Sequence, residues 1–194
     1  MNNKTTIDIR KLTYLAIFTA LIFVLQLLSF FMRGPVFSLT FVLVPIVIAV
    51  ALCGVGAGPW LGFIFGVAVL VSGDAAFFLA FDPFGTVLTV LVKGTLAGLA
   101  AALVYKALEK VNKYLAVIIA AITAPIVNTG VFFLGCMIFF FDDIMAYYSL
   151  GAAEVATFVV TGFIGINFII EVAVNLVLVP TIYRIINIKS GTKA

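Results

Sequence analysis

Histidine is absent from the 194 residues, and charge is scarce: charged residues are 10% of the chain, eleven Lys and Arg against eight Asp and Glu. Without imidazole there is no His-based general base, no bis-histidine haem and no zinc site of the usual kind. The two cysteines, Cys53 and Cys136, lie in separate apolar stretches. They form neither a CxxC pair nor a metal-ligand spacing and read as small buried hydrophobes. No GxxxxGK[ST] phosphate loop occurs, so any ATP use must come from another chain. The net charge of +3 gives no footprint for nucleic acid. No Gly/Ser/Pro-rich linker or low-complexity tract divides the chain, which reads as a single domain over 1–194.

What is present is apolar. Hydrophobic residues make up 65% of the chain and the mean hydropathy is +1.34. Soluble domains hold about 45–50% apolar and about 25% charged residues. The expected class is an all-α integral membrane protein. The opening MNNKTTIDIRK is short, polar and basic. A signal peptide would follow it with a short apolar core and a small-residue cleavage site. Here the apolar run extends from Leu12 to Phe31 with no such site. About 20 residues cross a hydrocarbon core of roughly 30 Å, so the run reads as a retained first helix.

Six spans are expected, near 12–31, 39–54, 57–73, 86–107, 114–140 and 158–183. Turn chemistry separates them: Arg33-Gly34-Pro35, the Gly54–Pro59 stretch, Asp82-Pro83, Glu109 to Lys113, and Asp142 to Glu154. With the amino terminus inside, nine of the eleven basic residues fall on the inner side: Lys4, Arg10, Lys11, Lys106, Lys110, Lys113, Arg184, Lys189 and Lys193. The outer segments hold Arg33 with Asp74, Asp82, Asp142, Asp143 and Glu154. The positive-inside rule therefore places both termini in the cytoplasm.

Gly54, Gly58, Gly62 and Gly66 are spaced by four, as are Gly94 and Gly98. Small residues at that spacing let helix backbones approach closely in lipid, and packing within the bundle is the expected use. Ala16 and Ala20 form a further pair, in the inner half of the first span. From spacing alone they suit either internal packing or another subunit.

Ionisable residues inside spans are expensive and mark candidate sites. Lys93 lies in the outer third of the fourth span and Glu171 near the middle of the sixth. Asn167, Glu171 and Asn175, spaced by four, form a polar stripe, and Asn128 follows Pro125 in the fifth span, with Thr86, Thr89 and Thr129 nearby. Two readings compete: a buried Lys93–Glu171 ion pair with the asparagines as interhelical glue, or the lining of a solute pocket opening outward. Aromatic residues crowd the outer ends, among them Phe30, Phe31, Phe37, Phe77, Phe78, Phe81, Phe84, Tyr147 and Tyr148. They read as interfacial anchors or as a pocket wall.

The chain resembles the substrate-binding S component of energy-coupling factor transporters, the bacterial vitamin importers. The likeness covers nearly its whole length. It rests on Ala16-Ile17-Phe18-Thr19-Ala20 as an AxxxA motif in the first helix, on LVPIVIAVALCGVGAGPWLGFIFG as a proline-bearing second helix with a glycine-rich third, and on NTGVFFLG in the fifth. The resemblance implies a non-enzymatic, multi-pass subunit of the bacterial plasma membrane. Such a subunit captures a vitamin or related micronutrient outside and delivers it inward by toppling. A transmembrane T component and two cytoplasmic ATPases drive the cycle, with ATP used by those partners and no cofactor held by this chain. It implies that Ala16 and Ala20 dock the T component. It also implies a pocket shaped by the first outer loop, Arg33 to Thr40, and by the outer ends of the fourth to sixth helices. The substrate-binding candidates are then Lys93, Asn128, Asn167, Phe37 and Phe84. Glu171 lies deeper and would orient Lys93 or stabilise the bundle. Lys93 suits a carboxylate and points to pantothenate, with riboflavin, cobalamin and others open. The alternative is an autonomous small secondary transporter or channel.

Overall fold

The computed structural model describes residues 9–31 and 41–190, apart from the side chains of Ile166, Lys189 and Ser190. Every element among them is helical: α1 (Ile9–Phe31), α2 (Leu43–Cys53), α3 (Ala57–Ser72), α4 (Ala76–Leu79), α5 (Pro83–Leu108), α6 (Lys113–Phe139), α7 (Phe141–Tyr148), α8 (Ala152–Phe158), a π-helical stretch Val159–Ile164, and α9 (Gly165–Ser190). Four of these are long and apolar enough to cross a membrane: α1, α5, α6 and, over Asn167–Ile188, α9. A fifth crossing is possible if α7 and the α8–π segment count as one broken span. The apolar helices α2 and α3 have 11 and 16 residues. At 1.5 Å per residue they reach only about 16 and 24 Å. The expected count of six spans, with the second and third the short ones, is therefore not reproduced by helix length.

The sequence sets the helix ends by identifiable chemistry. Pro83 opens α5, where its missing N–H is harmless, and the Asp82 carboxylate accepts the Phe84 N–H at 3.0 Å. Asn112 caps α6 by accepting from Tyr114 and Leu115 at 2.9 and 3.1 Å. Gly73, at φ 83°, closes α3 in the left-handed conformation that glycine adopts most readily. The segment 141–157, expected as a connection, instead forms α7 and most of α8, and α7 meets the Ala152–Ile164 segment at 96°. Ser149 makes that corner, with φ at 54°.

The glycine rows define how α3 meets α5. A Cβ on Gly58 would strike the Gly98 carbonyl, one on Gly62 the Gly94 carbonyl, and the reverse holds for both partners. Gly66 lies against the Val90 carbonyl. These pairs run in opposite chain order, so α3 and α5 cross antiparallel with their backbones touching, as small-residue rows allow. Gly54 is the exception. It lies in the turn after α2 at φ 97° with no atom near its missing Cβ. α1 runs parallel to α3: Trp60 Nε1 donates to Thr19 Oγ1 at 3.3 Å, and Gln26 donates to Ser72 and Asp74 at 3.4 and 3.3 Å. α1 is the most peripheral of the long helices, with 17% of its apolar window buried against 39% for α5. The interior is apolar, with Ile22, Ile46, Val47, Leu61, Val117 and Ile182 among its fully buried residues.

The two ends of the bundle differ. One gathers Lys11, Lys106 and Lys110 near the start of α1 and the α5–α6 turn, with Lys106 paired to Glu109 at 2.6 Å. A cleft of about 190 Å³ lies there, lined by Lys11, Cys53, Tyr105 and Lys106. The other end is built of phenylalanine and tyrosine.

Candidate functional site

Three helices bring polar side chains into the interior toward the aromatic end. α5 supplies Thr89 and Lys93, α6 supplies Asn128, and α9 supplies Glu171 and Asn175. Thr89–Lys93 and Glu171–Asn175 are each four residues apart, which stacks each pair on one helix face. Burial is deep: Thr89 is 4% exposed, Asn128 8%, Glu171 7% and Asn175 1%.

The sets meet around Lys93. Its ammonium lies 5.0 Å over the ring of Phe132, one turn beyond Asn128 on α6. It is also within electrostatic reach of Asp74, Glu171 and the Cys136 thiol. Gly135 of α6 faces Thr89 of α5 so closely that a Cβ there would strike the threonine side chain. The lysine therefore rests on a π-face, which favours a cation most where water is excluded. No ion pair joins Lys93 to Glu171 among the described residues, where the contact pair is Lys106–Glu109. The ion-pair reading of these two groups is not what the structure shows.

The hydrogen bonding of this group is incomplete. Thr89 Oγ1, Asn128 Oδ1, Glu171 Oε1 and both amide atoms of Asn175 are buried without a partner among the described residues. Each such group costs about 1–3 kcal/mol. Other polar side chains of the same helices are satisfied. Thr86 donates to the Asp82 carbonyl, Thr95 to Leu91 and Thr123 to Ile119, all at 2.7 Å. The unmet groups thus fall mainly on one interior patch, with Ser29 Oγ of α1 as the remaining case.

Phe132, the ring beneath Lys93, belongs to a cluster of aromatic side chains. Phe78 is the hub, with centroids 5.4 Å from Phe132, 5.0 Å from Phe140 and 5.6 Å from Phe163. Phe77 stands 4.9 Å from Phe81 and 5.6 Å from Tyr147, and Tyr148 lies 4.4 Å from Phe158. Most are edge-to-face or tilted, the favoured geometries for aromatic pairs. The bend at Ser149 brings Tyr147 and Tyr148 of α7 and Phe158 of α8 into this cluster, with Phe140 buried at its centre and Tyr147 62% exposed at its edge.

Of the residues named from the sequence, Lys93 lies over Phe132, and Asn128 is buried one turn before that ring on α6. Asn167 is half-buried one turn before Glu171 on α9, and its Nδ2 donates to the Phe163 carbonyl at 3.1 Å, tying it to the π-helical stretch. Phe84 does not join them: it is 73% exposed on the outside of α5. Phe37, with the 33–40 loop, lies outside the described residues. Glu171, expected to lie too deep, belongs to the group, and so does Asn175. Phe132 and Phe163 were not singled out from the sequence, and Phe78 was read there only among the outer-end rings, as an anchor or a pocket wall. The four-residue spacing of Asn128, Phe132 and Cys136 was the available signal, hidden in an apolar run. Far from this group, Ala16 and Ala20 are exposed on the outer face of α1, among Leu12, Ile17 and Val24 at 56, 56 and 61% exposure.

A comparison with family models matches residues 10–183 to the ECF transporter, substrate-specific component. No curated protein and no solved structure matches the chain. Residues 10–183 are nearly all of it, and the match agrees with an all-helical membrane bundle that holds a buried polar patch. The chain belongs to the substrate-specific component family of ECF transporters: it is a transporter's substrate-specific subunit and not an enzyme.

Proposed function

We propose that this subunit captures a vitamin or related water-soluble micronutrient in the polar patch of α5, α6 and α9. It then passes the solute inward together with a T component and two ATPases that use the ATP. The observation that carries this reading is the cluster of unpartnered polar atoms on Thr89, Asn128, Glu171 and Asn175 beside Lys93. A bundle held only for stability gains nothing from unmet groups of this kind, whereas a ligand that pairs with them recovers their cost. Lys93, Asn128, Glu171 and Asn175 make the polar contacts, Asn167 holds the α9 entrance, and Phe78 and Phe132 form the wall.

The same reading gives the chain one domain that crosses a bacterial plasma membrane six times, with both termini in the cytoplasm. The short α2 and α3 count as two of those passages. The sign of the charges supports it: Lys11, Lys106 and Lys110 gather at one end, while Asp74 and Asp82 lie toward the other. The T component docks on the exposed face of α1 that carries Ala16 and Ala20. The purified subunit, screened for thermal stability against a panel of water-soluble vitamins and their precursors, tests the capture step. A ligand that binds only the folded state adds about 4 kcal/mol at a thousandfold excess over Kd. A clear rise with one compound is expected, and silence across the panel contradicts the proposal. Uptake into liposomes by this chain alone, without ATPase partners, would instead favour an autonomous carrier.

A further inference from the structure

The unmet hydrogen bonding of the polar patch is lopsided. Four of its five unpartnered atoms are oxygens: Thr89 Oγ1, Asn128 Oδ1, Glu171 Oε1 and Asn175 Oδ1. The fifth, Asn175 Nδ2, is a donor. Lys93 adds one cation, already lying over the Phe132 ring. Asn128 Oδ1, Glu171 Oε1 and Asn175 Oδ1 accept, while the Thr89 hydroxyl can donate or accept, so the patch asks for donors at three atoms, for one acceptor opposite Asn175 Nδ2, and for one negative or strongly polar oxygen near Lys93.

An aliphatic carboxylate such as pantothenate meets the lysine. It offers no N–H fork to the Glu171 carboxylate, and a buried carboxylate left without donors costs more than a neutral group. A carboxylate is best paired by two parallel N–H bonds from a planar fork. Asn175, with oxygen and nitrogen both unpaired, matches the adjacent C=O and N–H of a lactam. Lys93 lies over the flat ring of Phe132, which stands 5.4 Å from Phe78, itself 5.6 Å from Phe163. Aromatic faces and edges receive another flat ring in offset or edge-on contact.

We infer that the site takes a flat nitrogen heterocycle with an amino–lactam edge turned to Glu171 and Asn175 and an anionic or oxo substituent turned to Lys93. The inference rests on the capture reading above and replaces the aliphatic acid first suggested by Lys93. Its discriminating residue is Glu171, because the carboxylate separates an N–H edge from a bare ring.

Three probes separate the possibilities in a thermal-stability and equilibrium-binding titration of the full chain in detergent. Pterin-6-carboxylate has ring, amino–lactam edge and acid. Nicotinate has ring and acid without the edge. Pantothenate has the acid without a ring. Pterin-6-carboxylate is expected to bind at least tenfold more tightly than either other probe, and Glu171→Gln to weaken it about tenfold to hundredfold by removing one charged acceptor. The wild-type ranking decides the matter even if the variant folds poorly. Equal binding of nicotinate and the pterin overturns the edge assignment. Preference for pantothenate overturns the heterocycle and leaves the capture reading standing. Silence from all three, with a response to another vitamin of the wider panel, overturns the amino–lactam edge and leaves the capture reading standing. Silence from the whole panel overturns the capture reading with it.

Discussion

α5 presents two faces that obey opposite rules. Toward α3 it offers Gly94 and Gly98, and the two backbones touch at carbonyls facing Gly62 and Gly58. Toward α6 and α9 it offers Thr89 and Lys93, and polar atoms are left buried without partners. The first face is what packing alone favours in lipid, where close contact replaces the hydrophobic effect. The second costs stability at each unmet group. One helix holding both teaches that the polar face is not a failure of packing. The fold can make a tight seam and does so on the other side.

The largest test of this contrast is steric. Gly62→Leu places a side chain against the Gly94 backbone, which has no far end to move away, and is expected to cost about 3 kcal/mol or more. Loss of cooperative thermal unfolding in detergent would show it, while a stable variant would mean that α3 and α5 can separate freely. On the other face, Lys93→Ala is expected to weaken solute binding by ~1.5–3 kcal/mol with a smaller change in unliganded stability. A titration giving unchanged affinity removes Lys93 from the site. A gentler check uses Gly130 of α6, which has nothing near its missing Cβ. Gly130→Ala should raise stability by about 0.5–1 kcal/mol, the ordinary helix gain, and a loss of stability would show hidden crowding there. The smallest effect on the chain itself belongs to α1. Ala16→Trp with Ala20→Trp should leave solute affinity unchanged yet prevent co-purification with a T component. Loss of binding or of fold would make the pair internal packing.

The long helices were legible because their signals are local. The apolar runs of α1, α5 and α6 are uninterrupted, and Asp82-Pro83 and Asn112 carry the chemistry that starts a helix. The glycine rows were legible as packing surfaces, but the Gly58–Gly98 and Gly62–Gly94 pairing depends on how two distant segments meet. α7 and α8 were not visible. Asp142, Asp143, Ser149 and Gly151 make 141–157 read as a connection, and only the corner at Ser149 reveals two short helices. Lys93, Asn128, Asn167 and Glu171 stood out because polar groups are rare in apolar runs. Phe132 and Phe163 did not, and Phe78 was only one of many outer-end rings, since one more phenylalanine among twenty carries no signal before the helices are assembled. Phe84 misled for the same reason. It sits at the right depth, but the turn of α5 points it outward.

The central claim is that the unpartnered patch exists for a ligand, and Asn175→Leu tests it most directly. The leucine removes two unmet polar atoms at a position only 1% exposed and keeps a similar volume. Thermal unfolding of wild type and variant would be followed with and without the vitamin panel. The account predicts that the unliganded variant is at least as stable as wild type, by up to a few degrees, because no hydrogen bond is lost. It also predicts that the ligand response seen in wild type disappears. A variant that unfolds several degrees lower alone, yet still responds to the same solute, would contradict the account and make Asn175 a structural residue.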